Sequence, residues 1–180
     1  MKVNLLNVEQ MYSLADRLDI WELLKGVLYQ SPAPRPIHQV ILGELHAELI
    51  GIYRRNKKYH VRLAPYDVVL KEDTLVQPDI SVIDDLKKET NRCYEGAPVL
   101  VIEVLSDSSI KTDNVEKFEI YEECGVKEYW IVDPFKDTIK QHVLENGKYK
   151  LLAKLSKGDR IISPILEEVD IDLNEVFIKQ

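Results

Sequence analysis

The sequence predicts a mixed α/β fold: a central sheet flanked by helices, with one β-hairpin near the N-terminus and another toward the C-terminus. Three observations carry this expectation. The run Val99-Leu100-Val101-Ile102-Glu103-Val104-Leu105 has the near-continuous apolar character of a strand buried on both faces. A polar loop, a helical stretch, Gly125 and a second apolar run, Tyr129-Trp130-Ile131-Val132, follow it. That succession reads as a βαβ unit with parallel strands and a right-handed crossover. Two turn signals, Lys25-Gly26 and Asn146-Gly147, each lie between apolar runs of strand length.

Each further element has its own signal. Asn7 and Gln10 have capping-box spacing. Val8, Met11, Leu14, Ala15 and Leu18 recur at the helical period, so a first helix ends near Asp19. The first hairpin turns at Lys25-Gly26, and lysine is a poor residue for positive φ, which leaves the turn type open. Ser31-Pro32-Ala33-Pro34-Arg35-Pro36 is a stiff extended connector whose last proline suits a helix start. Ile37, Val40, Ile41, Leu45, Leu49 and Ile52 mark one face of a long helix reaching about Arg54. Residues 66–70 are β-rich, Pro78 opens a strand to Ile83, and 84–96 form a polar turn or loop. A capping-box-like start at Asp113 begins a helix to Cys124, and Gly125 stands where a C′ glycine belongs. In the second hairpin Tyr149, Leu151, Ala153 and Leu155 alternate, which predicts one buried face. Short strands at 161–162 and 169–173 and a helical turn at 174–178 close the chain. No repeat or low-complexity segment interrupts it, so 1–180 reads as a single domain.

Composition bounds the function. The chain has 180 residues, 45% hydrophobic and 31% charged, the profile of a globular protein. A domain of this size buries roughly 70% of its unfolded surface, so it needs no disulfide or structural metal to fold. The apolar runs are too short to cross a membrane, and the start MKVNLLNVEQMYSL lacks the features of a signal peptide. Cys93 and Cys124 have no second Cys or His at ligand spacing. They read as free thiols in a reducing cytoplasm rather than as a zinc site. A formal net charge of -7 disfavours non-specific binding to a polyanion. A nucleic-acid role must therefore rest on metal ions or on a local basic patch. Arg54, Arg55, Lys57 and Lys58 lie in the one dense basic stretch. They read as a solvated helix end whose cations complement the dipole, or as phosphate contacts.

Glu103 is the odd residue, a carboxylate at the centre of an apolar strand. Burying it without partners is costly, so the fold must supply a cation, a donor network or water. A structural salt bridge is one explanation; a metal or catalytic role is the other. Asp79 opens a strand just after Pro78. If the two strands are neighbours the carboxylates converge, and a divalent ion removes their mutual repulsion. Oxygen ligands of this kind suit Mg²⁺ or Mn²⁺ more than zinc.

Several motifs resemble a known family. They are Asp79 in Gln-Pro-Asp-Ile-Ser-Val, Gly96-Ala97-Pro98, Glu103-Val104-Leu105-Ser106, Asp113 with Lys117, and the stretch from Gly125 through Tyr129-Trp130-Ile131-Val132 to Asp133-Pro134. In order, they resemble the Uma-type restriction endonuclease family of the PD-(D/E)XK nuclease superfamily. Glu22-Leu23-Leu24-Lys25-Gly26, the Ser-Pro-Ala-Pro stretch, His38 and the closing strands extend the likeness over nearly the whole chain. The resemblance implies a restriction-endonuclease-like sheet, Asp79 and Glu103 as metal ligands, and hydrolysis of DNA phosphodiester bonds assisted by Mg²⁺ or Mn²⁺. The superfamily places a lysine two residues after the second carboxylate, where this chain has Leu105. Lys117, one turn into the next helix, is the expected replacement; its alternative is a surface i,i+4 pair with Asp113. Asp113 is equally well placed as an N-cap. Glu22, as a third carboxylate, and His38, as a phosphate contact, are further possible site residues. Two-strand cleavage favours a homodimer. The absent lysine and the net charge favour another reading, a binding or scaffold protein that kept the fold and lost turnover.

Overall fold

The computed structural model describes residues 5–14, 21–30, 34–55, 58–106 and 115–178. The capping box at Asn7 is made reciprocally. The Asn7 N–H donates to Gln10 Oε1 at 3.0 Å and the Gln10 N–H to Asn7 Oδ1 at 2.8 Å, opening α1 (Val8–Leu14). Strands β1 (Trp21–Leu24) and β2 (Val27–Gln30) form the first hairpin. Its turn has positive φ at both Lys25 (50°) and Gly26 (82°), the mirror-image turn that matches strand twist. Pro36 then opens α2 (Pro36–Tyr53) at the position where a missing N–H costs nothing.

The middle of the chain is strand-rich: β3 (His60–Leu63), β4 (Val68–Lys71), β5 (Thr74–Val76), β6 (Ile80–Ile83), β7 (Tyr94–Glu95) and β8 (Leu100–Val104). Then come α3 (Lys117–Cys124), β9 (Glu128–Asp133), the hairpin β10 (Thr138–Glu145) and β11 (Lys148–Ser156), β12 (Arg160–Ile162), β13 (Asp170–Asp172) and the short α4 (Leu173–Val176). Gly125 caps α3 in the left-handed region at φ 85°, and β8 and β9 pair in parallel, as the βαβ reading requires.

The strands do not share one central sheet. A six-stranded mixed sheet runs β11-β10-β9-β8-β6-β3, and a five-stranded sheet runs β2-β1-β5-β4-β7. The second hairpin extends the main sheet; the first belongs to the other. Alternation along β8 assigns the two faces of the main sheet. Leu100, Ile102 and Val104 face α2 (Ile41, Leu45, Leu49), with Leu173 and Val176 of α4 in the same core. Val101 and Leu105 face the other way, into a core shared by α3 (Ile120, Tyr121) and the five-stranded sheet (Leu24, Val68, Val76). Each such side chain contributes roughly 1.5–3 kcal/mol when fully buried. Glu103, between Val101 and Leu105, points into this second core.

The alternation expected of β11 fails. Leu151 is 56% exposed. A bulge moves the pairing with β10 from Gln141↔Ala153 to His142↔Leu151, skipping Leu152. One extra residue exchanges the faces of everything beyond it, so Leu155 packs beside the α2 core while Tyr149 packs beside the α3 core.

Two buried polar residues in this half of the molecule carried no signal. Glu128, fully buried at the start of β9, accepts from Trp130 Nε1 (2.6 Å), Gln141 Nε2 (2.8 Å) and the Ser163 hydroxyl. Burial pushes its carboxyl above the usual range against those donors. His142 lies among Phe118, Tyr129 and Tyr149, with ring centroids 5.1 to 6.3 Å away. Burial lowers its pKa below 6.5, opposed by a hydrogen bond to the Tyr129 backbone and aided by Lys140. The unfolded chain therefore binds a proton that the native one refuses. Stability falls as pH drops through 6.5 toward the folded value, and is unaffected by this group above 6.5. Urea midpoints measured from pH 7.5 to 5 test this: native protein loses more stability than His142→Phe over that interval, and equal slopes defeat the assignment.

Candidate active site

The site forms where the β6–β8 ladder ends. Pairing runs Val82↔Leu100, Ser81↔Val101, Ile80↔Ile102, and one more step sets Asp79 opposite Glu103. Directly opposed residues project to the same face with Cβ atoms about 4.5–5.5 Å apart. Pro78 explains the local geometry. It has no N–H and cannot extend the ladder, so the Val104 N–H turns to the Asp79 carboxylate instead, at 2.8 Å from Oδ2. The Ala64 N–H holds Asp79 from the β3 side through its carbonyl at 3.0 Å.

His38, in the first turn of α2, reaches the same Asp79 Oδ2 through Nε2 at 3.1 Å. A carboxylate can only accept, so this nitrogen carries the proton. The Asp79 side chain is 18% exposed, the most open carboxylate of the group.

Glu103 is 3% exposed and Glu22, from β1 of the other sheet, equally buried. Lys117 bridges them: its Nζ lies 2.9 Å from Glu22 Oε1 and 3.0 Å from Glu103 Oε1. Glu22 Oε1 also accepts the Gln77 N–H at 2.7 Å, two residues before Asp79. Tyr121 donates to Glu103 Oε1 at 2.7 Å. Burial pushes its phenol well above the usual value, and the charges of Glu103 and Glu22 push it further. Lys117 is the first residue of α3, not one turn in, where the helix dipole opposes a cation. The two carboxylates outweigh that penalty. Two negative charges and one positive leave the buried trio negative, with Asp79 adding to it.

Five of the sequence-derived candidates thus come together: Glu22, His38, Asp79, Glu103 and Lys117. The salt bridge expected as the alternative role of Glu103 exists, and it is made with Lys117. A surface Asp113–Lys117 pair is not the role of Lys117, which is buried. Asp113 and Lys57 lie outside the described residues. Arg54, Arg55 and Lys58 do not approach the carboxylates. They follow the far end of α2, about 24 Å from His38 at 1.5 Å per residue. Lys58 pairs with Glu167 at 3.3 Å.

Sequence reading missed Tyr121, Gln77 and the Val104 N–H. Tyr121 had a usable signal, since it follows Lys117 by four residues and so shares its helix face. The other two contribute backbone groups, which leave no trace in residue type.

The donor set fits a hard divalent ion. Two oxygen carboxylates, one of them partly open to solvent, are what Mg²⁺ needs when water and substrate oxygens complete its shell. Among the described residues, no three His, Cys, Asp or Glu side chains form a group able to enclose an ion. Glu22 is turned to Lys117 and Gln77 instead. No helix among those residues is long and apolar enough to cross a membrane.

Comparison with known proteins agrees with this architecture. A crystal structure from Anabaena variabilis ATCC 29413, described as a putative nuclease belonging to DUF820, superposes with a TM-score of 0.79. It is 18% identical, with 96% of this chain and 97% of that chain covered, which establishes a common fold. No curated protein matches. The family Uma2, described as "Putative restriction endonuclease", matches residues 8–174. With nearly its whole length matched, and with the motifs at Asp79, Glu103 and Lys117 inside the match, the chain belongs to the Uma2 family.

Proposed function

We propose that this protein is an endonuclease that hydrolyses DNA phosphodiester bonds with Mg²⁺ or Mn²⁺. The observation that carries the proposal is the pairing of Asp79 with Glu103 at a ladder end, with a buried lysine on the second carboxylate. Family membership supports it. A purely structural cluster gains nothing from this design, because apolar residues of similar volume stabilise a core as well or better.

Asp79 and Glu103 would hold the ion, which supplies a lowered pKa for bound water and offsets charge on the phosphoryl oxygens. The chain's own residues do the rest. The Val104 N–H and His38 Nε2–H fix the Asp79 carboxylate, so one ligand is set before substrate arrives. Lys117 Nζ provides fixed positive charge beside the attacking water, standing in for a lysine at Leu105. Leu105 is buried in the core on the α3 side, so a lysine there would lack water. Tyr121 holds Glu103 from within the core, and its raised pKa keeps it a donor.

That same Leu105 favours the second reading, a nuclease fold retained for binding alone. Turnover separates the two. Purified protein is incubated with supercoiled plasmid and with single-stranded DNA, in Mg²⁺ or Mn²⁺ and in EDTA. Cleavage that EDTA abolishes is the expected result. Folded protein that cleaves neither substrate with either ion moves the conclusion to the binding reading.

A further inference from the structure

We propose that Glu22 is a positioning residue, the acceptor to which Lys117 passes when a divalent cation engages Glu103. This inference rests on the metal-dependent reading above. Lys117 Nζ stands almost equally far from its two carboxylates, 2.9 Å from Glu22 and 3.0 Å from Glu103. A shift of a few tenths of an ångström trades one for the other. A dication on Glu103 repels the ammonium beside it, and the lysine has nowhere else to go. It is 5% exposed, so water cannot take it, and the N-terminus of α3 repels it from below. Glu22 is ready to receive it. Its carboxylate is anchored by the Gln77 N–H, on the segment that carries Asp79, so the lysine stays registered to the site as it changes partner. Glu103 keeps its Tyr121 hydrogen bond throughout. On this account Glu22 is not a metal ligand; it relieves Glu103 of a competing cation.

Titration calorimetry with Mg²⁺ alone tests this on native protein, Glu22→Gln and Glu22→Asp, with circular dichroism and melting curves as fold controls. Glu22→Asp keeps the charge but withdraws the carboxylate by one methylene. In both variants Lys117 stays on Glu103 and competes, so Mg²⁺ affinity falls about fivefold or more. Single-turnover cleavage at saturating Mg²⁺ falls as well. If Glu22→Asp binds Mg²⁺ like native protein, only the local charge matters and the transfer is refuted. Native-like affinity in both variants refutes it too, as does a lowered melting temperature with unchanged affinity. If Glu22→Gln does not fold, Glu22→Asp decides alone. Absence of Mg²⁺ binding by native protein overturns the metal-dependent reading itself, a result distinct from any pattern among the variants.

Discussion

Replacing Glu103 with alanine lowers metal-dependent cleavage about a thousandfold or more, roughly 4 kcal/mol of transition-state stabilisation. The change removes one of two carboxylates that share a single buried ammonium, and Lys117 keeps Glu22 at 2.9 Å. The fold therefore loses a hydrogen-bond acceptor for Tyr121 and some packing, but no charge is left stranded. The melting temperature stays within about 5 °C of native. Single-turnover cleavage and thermal melts on the same preparation check both parts. Activity within tenfold of native removes Glu103 from the chemistry.

Lys117→Met gives the opposite division. It strips the only cation from between Glu22 and Glu103, both about 4% exposed at the side chain, and leaves two like charges facing in the core. Removing one partner of a buried ion pair costs about 3–5 kcal/mol. The urea midpoint should drop accordingly with an unchanged slope. Activity is lost too, at pH values and temperatures where the variant is still folded. The informative companion carries Glu22→Leu and Glu103→Leu as well. With every member apolar, stability returns to native or above, because the cluster is kept for chemistry rather than for folding. A triple variant as unstable as Lys117→Met would make the trio structural.

The fold was legible where a local rule coincides with a tertiary one. The capping box at Asn7, the proline at the start of α2, Gly125 and the parallel β8–β9 pair each follow from residue type and spacing. Partition into two sheets did not. A strand's apolar pattern says that it is buried, not which sheet buries it, and β1 and β6 carry the same signal. The bulge at Leu152 was also hidden, because an alternating sequence looks the same whether or not one residue is skipped.

The site was legible for a narrower reason. A carboxylate in an apolar strand signals something unusual, but Glu128 satisfies the same rule and is pinned by neutral donors from Trp130, Gln141 and Ser163. What separates Glu103 is its company, a second carboxylate across the ladder and a lysine from the next helix. That company is assembled by register and by the turn of a helix, so it came from the ordered motifs rather than from any single residue. His38 reaches Asp79 across 41 positions of chain, a separation that no periodicity spans.

Glu22 belongs to the five-stranded sheet and Glu103 to the six-stranded one, and Lys117 is bolted to both. The catalytic cation is thus a joint between two separately built walls. Any load that shifts one wall against the other is felt there first, as a change in which carboxylate holds the lysine. A substitution such as Leu75→Ala, buried in the wall beside β1 and remote from the carboxylates, should therefore alter the tuning of the chemistry as well as the strength of the frame.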